Sequence, residues 1–162
     1  MARKSKAIDN HSLRTLGGAT RLSRLFGRHK HLVVLHNMGE HCPNCAIFGD
    51  EYNGRRKHLE RVAGFCIVSP DDPKTQAAYA RKRGWKAKMC SGQGSNFIKA
   101  LGFEGKEGDA QPGVSVLAKS RGAISLVDQV NVMKHGRCPS VLEVLWMIPG
   151  VKPSDLARRR AT

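Results

Sequence analysis

Three features of the sequence predict an α/β fold built on a mixed sheet. Residues 31–36 and 64–68 are short, nearly unbroken apolar runs, the pattern of strands buried on both faces. Each run leads into a segment with helical spacing, and such alternation implies parallel strands joined by right-handed crossovers. Near the C-terminus, Lys119-Ser120-Arg121-Gly122 separates the apolar segments 114–118 and 123–127, which is a hairpin signal and adds an antiparallel strand.

The elements follow in order. Residues 1–11 are polar and basic and read as a disordered arm. Segments 12–16 and 22–27 read as short amphipathic pieces, separated by Gly17-Gly18 and stopped by Gly27. After the first strand, helical spacing begins at Pro43 and runs through Ile47, Phe48 and Tyr52 to Leu59 and Val62, with Gly49 and Gly54 expected to kink or divide it. Asp72-Pro73 is an N-cap followed by proline at the first helical position, so a helix is expected from there to Arg83, with Gly84 as its stop. Residues 85–90 read as a third strand, 95–101 as a short helix ended by Gly102, and 104–111 as a loop. A last helix is expected over 139–147 with Leu142, Leu145 and Trp146 on one face, and both Trp85 and Trp146 are expected as core anchors. The expected organisation is one domain over 12–151, flanked by the arm and by a basic tail at 152–162.

The chain has 162 residues, enough to bury a core without a disulfide or metal staple. Its 28 Lys and Arg against 13 Asp and Glu give a net charge of +15. Much of that excess is terminal: residues 1–31 hold eight bases and one acid, and residues 152–162 hold four bases and one acid. The charge suggests weak contact with nucleic acid or another polyanion through the termini. No zinc-finger or RNA-binding signature accompanies it. No apolar run reaches the roughly 20 residues of a membrane span, and residues 1–30 lack the apolar core of a secretory signal. A cytoplasmic location is expected, with an organellar matrix as the alternative that the basic, acid-poor N-terminus allows. Five cysteines, an odd count, disfavour a fully paired secreted scaffold.

Chemistry concentrates at His41-Cys42-Pro43-Asn44-Cys45, where the first strand delivers the chain into the first helix. Residues three apart in a helix lie about 5 Å apart, within the range of a disulfide. Pro43 suits the first turn. A thiol at a helix N-terminus faces unpaired N–H groups and the positive end of the dipole, which favours thiolate, and a protonated His41 would add to this. Cys42 is thus expected to attack and Cys45 to resolve. Half of a zinc site is the competing reading, needing ligands from His36, His41, Cys66, Cys90 or Cys138, and no second Cys-x-x-Cys is present. Cys66 lies mid-strand as a core residue; Cys90 reads as accessible; Cys138 precedes a helix start as a second resolving thiol or a cap residue.

On these marks the sequence resembles the thioredoxin superfamily, and within it a bacterial thioredoxin-like family of unknown function with a Cys-Pro-x-Cys motif. Further marks are Leu25-Phe26-Gly27, the strand with His36 and Met38, Phe65-Cys66-Ile67-Val68-Ser69, Arg83-Gly84-Trp85, Gly94-Ser95-Asn96-Phe97 and Pro112-Gly113-Val114-Ser115-Val116. The resemblance implies a three-layer α/β/α fold with a central mixed sheet of about four to five strands. It implies thiol–disulfide oxidoreductase activity with no cofactor, acting on a disulfide-containing protein or a small thiol. It places Pro112, as a cis proline, opposite the cysteine pair, so that Pro112, Gly113, Pro43 and Asn44 would meet the substrate. His41 stands where thioredoxins have Trp. His36 stands where they bury an aspartate that accepts the proton of the resolving thiol, a role a histidine could fill. The threonine and distant arginine of peroxiredoxins are not evident. A non-enzymatic module that binds an anionic partner through its basic termini is the alternative function.

Overall fold

The computed structural model of the protein describes residues 5–152, 154 and 156. Its strands are β1 (Lys6–Ile8), β2 (Ser12–Thr15), β3 (Gly18–Arg21), β4 (His31–His36), β5 (Gly64–Ser69), β6 (Lys88–Ser91), β7 (Gly113–Ser120) and β8 (Ala123–Asn131). Its helices are α1 (Leu22–Leu25), α2 (Pro43–Gly54), α3 (Arg56–Glu60), α4 (Pro73–Arg83), α5 (Phe97–Ala100), α6 (Val132–His135) and α7 (Val141–Met147). No helix among the described residues is long and apolar enough to cross a membrane.

The strands form one mixed sheet in the order β1-β8-β7-β4-β5-β6-β2-β3. Strands β4, β5 and β6 are parallel, as the alternation implies, and β7 runs antiparallel to β4 and β8. The sheet has eight strands instead of four to five because the N-terminal region supplies three. Lys6–Ile8 pairs with Leu126–Ile124 of β8, so residues 6–8 of the arm expected to be disordered are part of the sheet, with Ile8 buried. Segment 12–16 contributes β2, which pairs with β3 and touches β6 at Arg14 and Ser91. Leu13 turns inward and is 1% exposed while Arg14 faces out, the alternation of a strand. Most of the C-terminal tail lies outside the described residues.

Two apolar clusters cover the sheet and make the three layers. On one face Val33, Leu35, Phe65, Ile67, Val114 and Val116 pack under α2, α3, α4 and α7. On the other, Leu32, Val34, Cys66, Val68, Cys90 and Leu117 pack against Leu22, Leu25, Phe26, Phe97, Leu101 and Phe103. Helix α4 starts and stops as expected: Asp72 accepts from the Lys74 and Thr75 amides at 3.0 Å, and Gly84 closes the helix at φ 72°. Gly49 has a different role from the expected kink. A Cβ there would lie 2.4 Å from the Trp85 ring, so the glycine makes room for that ring, whose Nε1–H donates to Asp50 at 2.7 Å. Trp146 is 63% exposed and is no core anchor. Helix α7 turns Val141, Val144 and Leu145 inward and leaves Leu142 and Trp146 outside.

His36 departs furthest from its expected role. Alternation along β4 directs its side chain to the face opposite Leu35 and α2. There it stacks on Phe103 at a centroid distance of 3.6 Å, and its Nε2 lies 2.9 Å from the Ser115 hydroxyl, which itself donates to Gln129. Its surroundings therefore support a neutral ring, and its buried Nδ1 has no hydrogen-bond partner among the described residues. Burial pushes its pKa down from 6.5 to about 3. The unfolded chain takes up a proton near pH 6.5 and the folded chain does not until about pH 3, so stability is present above pH 6.5 and falls as the pH drops. Urea denaturation is expected to show about 2 kcal/mol of loss from His36 between pH 6.5 and pH 5. In His36→Gln that share of the pH dependence is absent; equal pH slopes in the two proteins would contradict the assignment.

Candidate active site

The site is built where β4 ends. The Asn37 amide still bonds Val68 at 2.9 Å, and the chain then turns. Asn37 Oδ1 accepts from the Gly39 amide at 2.8 Å, and its Nδ2 donates to the Cys45 carbonyl at 3.4 Å, which ties the turn to the first turn of α2. Gly39 adopts φ 117°, a conformation that favours glycine, and the Cys42 amide closes the turn on its carbonyl at 3.2 Å. The Glu40 amide donates to Asp71 at 2.8 Å, anchoring the loop to the end of β5.

Cys42 is the N-cap of α2. Its backbone is extended, Pro43 follows as the first helical residue, and its Sγ accepts from the Cys45 amide at 3.3 Å. A helix N-terminus thus points one of its free N–H groups at this sulfur. Cys42 is partly exposed, and its sulfur lies 3.9 Å from Met38 Sδ. Cys45 is one turn in and 2% exposed. Burial pushes its thiol up to about 12, and its hydrogen bond to Cys42 adds to the rise, while the Met38 amide at 3.4 Å opposes it. The two sulfurs differ in kind: one is accessible and receives an amide hydrogen bond, the other is buried and keeps its proton.

Beside the pair lies a cavity of about 390 Å³. Of the residues expected in the site, Cys42, Cys45, Asn44 and Pro112 line it together. The Pro112 peptide is trans, since the described residues contain no cis bond, so the expected cis geometry is not present. Gly113 is held in the sheet, where a Cβ would lie 2.2 Å from the Val130 carbonyl oxygen, a packing reason for glycine. Pro43 and His41 are exposed; His41 lines a second cavity, of about 630 Å³, together with Met38, Gln93 and Asn96. His36 stands apart from all of these on the far face of the sheet. The cavity also contains Ile47, Val132, Met133 and Cys138. Ile47 and Met133 are 68% and 66% exposed, an apolar rim that only the tertiary arrangement of α2 and α6 creates.

Among the described residues no three histidine, cysteine or carboxylate side chains are grouped to hold a metal ion. Cys66 and Cys90 are both fully buried, on adjacent strands, and hydrogen-bond one another, so Cys90 is not the accessible thiol the sequence suggested.

Comparison with known structures shows a thioredoxin-like fold of the peroxiredoxin type. Reduced Prx3 from Vibrio vulnificus in complex with hydrogen peroxide matches at 16% identity and a TM-score of 0.69, over 98% of each chain. Xanthomonas campestris peroxiredoxin Q matches at 20% identity and a TM-score of 0.61, over 74% of this chain and 79% of its own. Peroxidoxin BcpB from Mycobacterium tuberculosis matches at 20% identity and a TM-score of 0.61, over 79% and 86%. Among curated protein sequences none matches. A family model described as a bacterial protein of unknown function, DUF899, matches residues 5–137. With most of its length matched in this way, the chain belongs to the DUF899 family.

Proposed function

We propose that the protein is a thiol–disulfide oxidoreductase that works through Cys42 and Cys45. The observation that carries this reading is the unequal setting of the two sulfurs at the start of α2, one accessible and receiving an amide hydrogen bond, the other buried behind it. In the reductive direction, Cys42 thiolate attacks one sulfur of a substrate disulfide and expels the other as thiolate. Cys45 then attacks Cys42 Sγ, the bond to substrate sulfur breaks, and the Cys45 proton passes to the departing thiolate. The substrate gains two electrons and the pair becomes a disulfide. The Cys42–Asn44 edge, Pro112 and the apolar rim of Ile47 and Met133 would receive a protein disulfide or a small thiol. No cofactor is needed, because the two sulfurs carry both electrons.

The structural relatives suggest peroxide as another oxidant, since one is described for alkyl peroxide reduction and another is complexed with hydrogen peroxide. The segment ahead of Cys42 reads Met38-Gly39-Glu40-His41, without the threonine of the peroxiredoxin pattern, which favours disulfide as the substrate class. The test is reduction of insulin disulfides with dithiothreitol as electron source. Cys42→Ser is expected to abolish turnover above the uncatalysed rate, and Cys45→Ser to slow release of the substrate from the Cys42 mixed disulfide. Undiminished turnover in Cys42→Ser would sink the proposal.

A second reading rests on the strands that the basic N-terminal segment forms. Lys6, Arg14 and Arg21 are exposed on β1, β2 and β3, so part of the positive charge is fixed on a folded surface where a polyanion could lie. RNA binding that weakens steeply between about 50 and 200 mM salt is the expected outcome. Absence of binding at the lower salt would remove this reading and leave the redox proposal intact.

A further inference from the structure

The cavity beside the cysteine pair contains a third thiol. Cys138 lines it together with Cys42 and Cys45, although it is more than ninety residues away in the chain. It belongs to the connection between α6 and α7, and that connection is tethered close to it. Gly136 closes α6 in the left-handed region at φ 68°, with its amide on the Val132 carbonyl at 2.8 Å. Arg137 is ion-paired with Glu143 of α7. The buried Tyr52 of α2 donates its hydroxyl to the Pro139 carbonyl at 2.6 Å. The residue after Cys138 is therefore bonded to the helix that carries Cys45. Residues 133–138 are exposed, which leaves the thiol itself room to approach the pair.

The two candidate resolving thiols face opposite constraints. Cys45 sits directly under Cys42 but is buried, and must lose a proton that burial and the Cys42 hydrogen bond hold tightly. Cys138 is exposed and lines the same cavity as Cys42 and Cys45. Cys66 and Cys90 are fully buried within the other layer and do not reach the cavity.

We propose that Cys138 is a second resolving thiol of this site, attacking the Cys42 mixed disulfide from the cavity side. The inference rests on the oxidoreductase reading above. In the step, Cys138 thiolate attacks Cys42 Sγ, a Cys42–Cys138 bond forms, and the bond from Cys42 to the substrate sulfur breaks with release of the substrate thiolate. The substrate disulfide has then gained two electrons, and two protein thiols have lost them. The pairing requires the two Cα atoms to come within about 7 Å, and any shift this needs falls on the exposed residues 133–138. Such a site could release substrate at a pH where Cys45 remains protonated, leaving Cys45 to act by exchange afterwards.

The experiment uses the full chain with oxidised glutathione as the probe. Cys45→Ser is mixed with it, quenched with acid and a thiol-blocking reagent, and mapped by mass spectrometry after trypsin. Cleavage after Arg55 and Arg137 places Cys42 and Cys138 in different peptides. The expected result is transient glutathione on Cys42, followed by a cross-linked pair of peptides joined through Cys42 and Cys138. In the double variant Cys45→Ser/Cys138→Ser the adduct should persist roughly tenfold longer or more. Cys45→Ala, which also removes the sulfur, should repeat the pattern if Cys45→Ser folds poorly. Equal adduct lifetimes with no cross-linked peptide would overturn the role of Cys138 while leaving Cys42 as the attacking thiol. Failure of Cys42 to take up glutathione would overturn both this inference and the oxidoreductase reading.

Discussion

Strand β4 pairs on both edges and is covered on both faces, and the placement of the site follows from that constraint. Its neighbours are β5 on one side and β7 on the other. Leu32, Val33, Val34 and Leu35 are completely buried, and each such side chain contributes about 1.5–3 kcal/mol by leaving water. A slip of one residue would exchange the two faces and bring His36 under α2, so the register is strongly held. The end of the strand is thereby held, and with it the turn through Asn37 and Gly39 that sets Cys42 at the head of α2.

Once that turn is in place, the chemistry divides between two sulfurs by position alone. Cys42, half in the helix, receives a backbone amide; Cys45, one turn later, is buried. Burial that protects a resolving thiol also raises the difficulty of ionising it. An exposed thiol across the same cavity offsets that difficulty, and the Tyr52 hydroxyl, by holding Pro139, keeps it at the cavity. The glycines serve the same architecture: Gly49 and Gly113 are small because Trp85 and the Val130 carbonyl press against them, not because the chain bends there.

Much of the fold was legible because its signals are local. The apolar runs of β4 and β5, the Asp72-Pro73 cap, the Gly84 stop and the hairpin at Arg121-Gly122 all act within a few residues of where they stand. The N-terminal strands were not legible, since three or four residues carry little periodicity and Lys6 finds its partner at Leu126. The cysteine pair could be read from its spacing and its place after a strand. The face that His36 takes could not, because it depends on the phase of β4 relative to α2. Cys138 and the apolar rim of Ile47 and Met133 are assembled by tertiary packing, which no local pattern encodes.

The structure gives Cys42 and Cys45 opposite settings, one sulfur partly exposed and the other buried. The most direct measurement is the rate of iodoacetamide labelling at each cysteine of the reduced full-length protein as a function of pH, resolved by mass spectrometry. Cys42 is expected to be labelled at neutral pH while Cys45 stays unmodified until strongly alkaline conditions, following a thiol pushed up to about 12. Equal labelling of the two cysteines at neutral pH would contradict it.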